Sequence, residues 1–142
     1  MADTANRPRC GGLHHVELWV PNLGRATASW RWLLETIDYQ PLQKWPNRQS
    51  WECGDAYIVI QQSLALTATE HDRCRPGLNH LAFHGGSRQD VDHISDEATD
   101  HGKSLLFPDR HPFAGGAENY AAYLEDMDGF EAEIVELSEE GR

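Results

Sequence analysis

The stretch GLHHVEL at residues 12–18 returns as GLNHLAF at residues 77–83, and this repeat decides the fold. Both copies fit the pattern G-L-x-H-[VL]-x-[LF], so that His15 and His80 occupy the same place, 65 residues apart. Within each copy apolar and polar side chains alternate, which is typical of a half-buried β-strand. A repeat of this spacing predicts that the chain is built from two copies of one supersecondary unit.

The residues after each copy follow the same order of elements: an amphipathic helix, then three short strand-like stretches. The first helix is predicted from one apolar face, formed by Ala26, Trp30, Leu33, Leu34 and Ile37. The second begins after the N-cap residue Ser87 and ends near Gly102, with an apolar face formed by Val91, Ile94 and Ala98. The predicted strands are residues 39–45, 50–53 and 56–62 in the first half, and 104–107, 120–125 and 130–137 in the second.

Each half therefore reads β-α-β-β-β. One such unit has an open, half-covered sheet, so we expect two units to pair edge to edge. The predicted fold class is α+β, with two βαβββ modules forming a curved eight-stranded mixed sheet around a cleft and the helices outside. We predict one domain, consisting of a tail, a first module, a polar linker and a second module at residues 1–12, 13–62, 63–77 and 78–137.

Composition and charge exclude several classes of partner. The chain has 142 residues, with 12 Lys and Arg against 23 Asp and Glu, and a formal net charge of −11. Such an acidic protein repels phosphates, so we expect binding neither to nucleic acid nor to an anionic membrane. No apolar run approaches the ~20 residues of a membrane span. The first 12 residues have no apolar core typical of a secretory signal, and three cysteines without a C-x-x-C motif indicate free thiols, so we expect a cytoplasmic protein.

Strand parity indicates which side chains face the cleft, because successive side chains point to opposite faces of a strand. The inward positions are predicted to be His15, Glu17 and Trp19; Tyr57, Val59 and Gln61; His80, Ala82 and His84; and Glu131, Glu133 and Val135. Histidine and carboxylate groups that converge from separate strands suit a divalent metal ion. The alternative is that these polar residues only face water, as on many antiparallel sheets. The remaining histidines, among them His14, His71, His93 and His101, are expected to be surface or satisfied residues.

Three stretches together resemble the vicinal oxygen chelate superfamily, which includes glyoxalase I, fosfomycin-resistance enzymes, extradiol dioxygenases and bleomycin-resistance proteins. They are LHHVELWV at residues 13–20, GLNHLAF at 77–83 and YLEDMDGFEAE at 123–133. The last is similar to the D-P-D-G turn of the family followed by the strand that bears its metal-binding Glu, with Met127 where Pro is usual.

The resemblance implies that His15, His80 and Glu133 bind a divalent metal ion (Zn, Ni, Mn, Fe or Co), with Gln61 as a fourth ligand. It implies that the metal stabilises an oxyanion on a substrate that chelates it through neighbouring oxygens. Glu133 or Glu17 is then the base that moves a proton, and His84 is a proton shuttle. The expected substrate-binding residues are Trp19, Tyr57, Tyr123 and His111, the last within a glycine-bearing loop over the cleft.

Two classes of function follow from the resemblance. The first is a metal-dependent enzyme, of isomerase or lyase type or a ring-cleaving dioxygenase. The dioxygenase signature is matched only in part, because Ala122 replaces a bulky apolar residue. The second is a non-catalytic protein that sequesters a drug-like ligand, as the bleomycin-resistance members do. A homodimer is implied in either case, and the site lies within one chain or is shared between two.

Overall fold

The computed structural model describes residues 10–138, and these form the two predicted βαβββ modules. The first module contains β1 (His15–Trp19), α1 (Leu23–Thr36), β2 (Gln40–Trp45), β3 (Arg48–Cys53) and β4 (Ala56–Gln61). The second contains β5 (His80–His84), α2 (Arg88–Glu97), a 3-10 helix (Ala98–His101), β6 (Lys103–Leu105), β7 (Ala121–Asp126) and β8 (Glu131–Val135). The predicted fold class is confirmed, and residues 1–9 of the predicted tail lie outside the described residues.

The eight strands form two four-stranded mixed sheets, one for each module, with the strand orders β1-β4-β3-β2 and β5-β8-β7-β6. In each sheet the first strand pairs in parallel with the last, and the other pairs are antiparallel. The expected continuous eight-stranded sheet is therefore divided in two. Side chains rather than backbone hydrogen bonds join the modules, because one buried cluster contains apolar residues of both helices and both sheets.

The second helix begins after Ser87 as the sequence predicts, and its helical segment stops at Gly102, although the last turn is a 3-10 helix. Asn22 caps α1 by accepting a hydrogen bond from the backbone N–H of Arg25 at 2.9 Å, and Ser87 and Asp90 form a capping box at α2. The 3-10 helix that continues α2 ends at Gly102, which has a φ of +77°, in the left-handed region that favours glycine. These caps satisfy backbone groups at the helix ends that have no partner within the helix.

The turn between β7 and β8 ties the modules together through α1. Asp126 accepts backbone hydrogen bonds from Asp128 and Phe130, both at 2.9 Å, with one carboxylate oxygen. Its other oxygen accepts the indole N–H of the buried Trp30 on α1 at 3.1 Å. The Nζ atom of Lys103 lies 4.3 Å from the centroid of the Trp30 ring. The turn that precedes Glu133 is thereby held in place.

The linker between the modules packs against this same turn. The ring of His71 stacks on Phe130 at 4.2 Å, and its Nε2 atom is buried with no hydrogen-bond partner among the described residues. His71 is therefore neither a fully exposed nor a satisfied histidine. Its backbone also crosses Gly129 closely, since a Cβ at Gly129 would lie 2.7 Å from the His71 carbonyl oxygen. The linker thus reaches the second sheet and brings Arg73 to it.

Candidate metal and substrate site

The concave face of the second sheet brings His80 and Glu133 together. Their Nε2 and Oε1 atoms lie 3.1 Å apart, because β5 and β8 are adjacent and parallel and Glu133 lies opposite Ala82. The side chain of Glu133 is about 10% exposed and that of His80 about 32% exposed. The pair is therefore partly accessible to solvent, mainly through His80.

The tautomer of His80 is determined by its neighbour Asn79. The Nδ2 atom of Asn79 donates to the backbone carbonyl of Arg73 at 2.9 Å, so its Oδ1 atom faces His80 Nδ1 at 2.7 Å. An amide oxygen only accepts hydrogen bonds, so Nδ1 carries the proton. In a neutral imidazole the Nε2 atom then presents a lone pair to the carboxylate oxygen of Glu133. In this neutral form two acceptors face each other across the contact, whereas a doubly protonated His80 would donate from Nε2 to Glu133.

The other carboxylate oxygen of Glu133 is held from the opposite side. Asn119 donates from Nδ2 to Glu133 Oε2 at 3.0 Å. Tyr123 lies opposite Glu133 in the β7–β8 register. Burial raises the pKa of the Tyr123 phenol, and the charge of Glu133 raises it further. The phenol therefore stays protonated and is a hydrogen-bond donor next to this carboxylate.

A buried second carboxylate, Glu131, lies behind His80. Its Oε2 atom is 3.3 Å from His80 Nδ1, and its Oε1 atom is 3.4 Å from Nη1 of Arg73, an ion pair without a hydrogen bond. Burial raises the pKa of the Glu131 carboxyl group, whereas Arg73 and His80 lower it. Arg73 also donates to Glu125 at 3.1 Å. A carboxylate behind an imidazole is the usual way to orient a histidine ligand.

The loop that follows β6 packs against Tyr123. Phe107 packs edge-on against Tyr123, with ring centroids 5.6 Å apart. Gly115 lies against the site, because an added Cβ would be 2.3 Å from the Tyr123 hydroxyl oxygen and 2.5 Å from Asn119 Nδ2. His111 belongs to the same loop, but no contact places its ring beside His80 or Glu133.

The first sheet carries its own, simpler group. His15 lies opposite Tyr57 in the parallel β1–β4 register, and the two rings stack at 4.8 Å with an angle of 6° between them. The Nδ1 atoms of His14 and His15 are 2.9 Å apart. His15 is exposed on the concave face, as strand parity predicts.

Within residues 10–138 of one chain, His15 does not join His80 and Glu133. No three His, Cys, Asp or Glu side chains of this part of the chain are grouped so that they could hold a metal ion. Glu17 lies opposite Val59, and His84 opposite Val135, both exposed. The predicted ligands are thus divided between two modules.

Register also locates Gln61, which lies opposite Trp19 at the far end of β1. In the two sheets, β1 and β4 correspond to β5 and β8. The pair His15 and Tyr57 then matches the pair His80 and Glu131. The position that matches Glu133 is then Val59, two residues before Gln61, so the structure does not bring Gln61 beside His15. Sequence reasoning missed Asn79, Asn119 and Arg73 and placed Glu131 on the inner face without a role, because their contributions depend on contacts between residues of different elements.

The described residues contain no helix long and apolar enough to cross a membrane. A family model described as the Glyoxalase/Bleomycin resistance protein/Dioxygenase superfamily matches residues 14–123. The uncharacterised protein YqjT of Bacillus subtilis (strain 168) is 42% identical over 124 residues, which are 87% of this chain and 97% of that protein.

Solved structures share the architecture. A candidate glyoxalase from Bacillus halodurans is 41% identical, with a TM-score of 0.85 over 89% of this chain and 96% of that one. A glyoxalase/bleomycin resistance protein from Albidiferax ferrireducens T118 has a TM-score of 0.70 at 18% identity, over 89% of this chain and 98% of that one. At that lower identity the likeness concerns the fold alone.

Proposed function

The chain belongs to the glyoxalase/bleomycin resistance protein/dioxygenase superfamily, and we propose that it is a glyoxalase-like metal-dependent enzyme acting on a small oxygen-rich molecule. The second module supplies two proposed metal ligands, His80 and Glu133, and the first module supplies one, His15. The observation that carries the proposal is the contact of 3.1 Å between His80 Nε2 and Glu133 Oε1, which places an imidazole nitrogen beside a carboxylate oxygen.

The chemistry of these two groups fits a divalent cation. Because Asn79 holds the proton of His80 on Nδ1, the contact between Nε2 and Glu133 is repulsive unless an added proton or a cation lies between them. Imidazole nitrogen and carboxylate oxygen suit Zn, Ni, Mn, Fe and Co. Both proposed ligands of the second module are also held by neighbouring groups, as is usual at metal sites: Asn79 and Glu131 hold His80, and Asn119 holds Glu133.

The third ligand requires a second copy of the chain. His15 lies in the first module and is not grouped with His80 and Glu133 within residues 10–138. We propose a homodimer in which the first module of one copy faces the second module of the other. This arrangement completes a site of two imidazoles and one carboxylate and leaves coordination positions for substrate oxygens.

The remaining residues define the proposed chemistry. A bound divalent metal supplies Lewis-acid stabilisation of negative charge that develops on substrate oxygen. Glu133 is the proposed base that moves a proton between adjacent carbons, and Asn119 holds its Oε2 atom. The protonated Tyr123 phenol donates a hydrogen bond at the same place. Glu17 and His84 line the cleft farther out as further candidates for proton transfer.

Metal content, measured by mass spectrometry on protein purified without an affinity tag, tests this proposal. We expect near-stoichiometric metal in the wild type and less than about a tenth of it in His80→Ala and Glu133→Gln, because losing one ligand of three weakens binding strongly. His93→Ala, at an exposed position on α2, is the matched control and should retain the metal. Wild-type protein that binds none of Zn, Ni, Mn or Fe(II) would refute the proposal and favour a non-catalytic, ligand-sequestering function.

A further inference from the structure

The first sheet carries a row of aromatic and polar side chains that the proposed metal site does not use. Trp19, Gln61, Arg48 and Trp45 lie opposite one another across β1, β4, β3 and β2 on the concave face. The two tryptophans are each 41% exposed. Large aromatic side chains left open to solvent in a cleft are available for contact with a ligand.

Arg48 is the charged member of this row. Its guanidinium carbon lies 4.0 Å from the centroid of the Trp45 ring, and the residue is partly buried. Four other arginines form ion pairs with carboxylates, namely Arg25, Arg73, Arg75 and Arg88. Arg48 forms none with any residue of the described part of the chain. Arg31 and Arg110 likewise form no ion pair among the described residues, but Arg48 is the one of these three that lines a groove together with His15.

The stacking on Trp45 determines what Arg48 can bind. The Trp45 ring holds the guanidinium carbon at 4.0 Å, and the guanidinium N–H groups donate to no described residue. The edge of the guanidinium plane matches a carboxylate or phosphate group through two parallel hydrogen bonds. A groove of about 160 Å³ lies beside it and continues to His15; its lining includes Gln43, Ser50 and Tyr57 and one carboxylate, Glu17, on the neighbouring part of β1.

We propose that Arg48, held by Trp45, binds an oxyanion of the substrate, and that the substrate is therefore a small elongated acid. The inference rests on the proposed function, since it takes the other end of the molecule to be at His15. Arg48 lies opposite Gln61, which is four residues along β4 from Tyr57, the neighbour of His15 on β1. At about 3.3 Å per residue this is ~13 Å of strand, so the oxyanion lies on the order of 10 Å from the metal-binding oxygens.

Nuclear magnetic resonance titration of the wild-type protein tests the assignment. The probes are 3-phenylpropionate, phenylphosphonate, inorganic phosphate and the neutral 3-phenylpropanol. We expect at least one anion to shift the indole N–H resonance of Trp45 and the Nε–H resonance of Arg48. Arg48→Gln should weaken that binding about tenfold or more, because hydrogen bonds to a charged group are strong, and should leave the neutral alcohol unaffected. The ranking of carboxylate against phosphonate and phosphate identifies the oxyanion.

Lys44→Gln is the matched control, because it removes one positive charge from the same strand at a side chain directed to the opposite face. It should change anion affinity less than twofold. The assignment is overturned if no anion shifts these resonances, or if Arg48→Gln binds the anions as the wild type does. Metal content of the same samples separates this result from the proposed function. A wild type that contains no metal contradicts the proposal of a metal-dependent enzyme, whereas anion binding depends on Arg48 alone.

Discussion

Replacing Lys103 by methionine should make the protein more stable at neutral pH. Lys103 lies on β6 with 2% of its surface exposed, and its Nζ atom has no hydrogen-bond partner among the described residues. Burial lowers the pKa of Lys103 from 10.5 to about 8, although the nearby Asp126 acts in the opposite direction. Methionine has a similar length, carries no charge and adapts to irregular spaces in a core.

The magnitude follows from the lowered pKa. Each pKa unit corresponds to about 1.4 kcal/mol, so burying the charged lysine costs about 3 kcal/mol at pH 7. The contact with the Trp30 ring at 4.3 Å offsets this cost by about 1 kcal/mol. Lys103→Met should therefore raise the free energy of unfolding by about 2 kcal/mol. Asp126 keeps its three N–H donors in the variant and is not left unsatisfied.

The gain should depend on pH in a defined direction. Between pH 8 and 10.5 the unfolded chain still carries a proton on Lys103 that the folded chain has lost. The wild type therefore becomes more stable through this group as the pH rises across that range, and the variant does not. The advantage of Lys103→Met should be full below pH 8 and shrink toward pH 10.5.

Urea unfolding at fixed protein concentration, at pH 7, 8.5 and 10, measures both effects. Lys44→Met, at an exposed position on β2, is the control and should change the free energy of unfolding by less than about 0.5 kcal/mol. A Lys103→Met protein that is less stable than the wild type at pH 7 would refute the reasoning. An advantage that is the same at pH 7 and pH 10 would also refute it.

Three further substitutions test other contacts. Gly115→Ala should leave the fold intact but displace the side chains of Asn119 and Tyr123, since its Cβ would lie within 2.5 Å of both. We expect the metal affinity, measured by competition with a chelator, to fall about tenfold. Gly24→Ala, where the nearest neighbour of the added Cβ is at 3.6 Å, should leave the metal affinity unchanged. Asp126→Ala removes three hydrogen bonds and should cost about 3 kcal/mol of unfolding free energy in urea, and a loss below about 1 kcal/mol would contradict the bonding described. Asn79→Ala removes the shorter of the two acceptor contacts of His80 Nδ1, leaving Glu131 at 3.3 Å, and should lower metal affinity about tenfold; an unchanged affinity would show that the tautomer is not held by this amide.

The architecture was predictable because it rests on local patterns. The repeated stretch around His15 and His80, the apolar helix faces and the capping residues each act over a few neighbouring residues. Strand parity likewise placed His80 and Glu133 on one face, and the structure brings their side chains to 3.1 Å. The eight strands form two sheets rather than one. The modules meet through side chains of α1 and the β7–β8 turn, a contact that no local pattern describes.

Register and long-range contacts could not be predicted in the same way. Parity places Gln61 on the concave face, but only the β1–β4 register places it opposite Trp19 rather than His15. The tautomer of His80 depends on a carbonyl of the linker, at Arg73. The absence of an ion-pair partner for Arg48 among the described residues is likewise visible only once the strands are aligned.

X-ray absorption spectroscopy of the metal-loaded protein tests the central proposal most directly, because it counts the imidazole ligands of the bound metal. We predict two imidazoles with oxygen ligands in the wild type, and one imidazole in both His15→Ala and His80→Ala at saturating metal. The readout reports coordination and does not depend on knowing the substrate. A spectrum without imidazole scattering, or one that His15→Ala leaves unchanged, would contradict a metal site completed by the two modules.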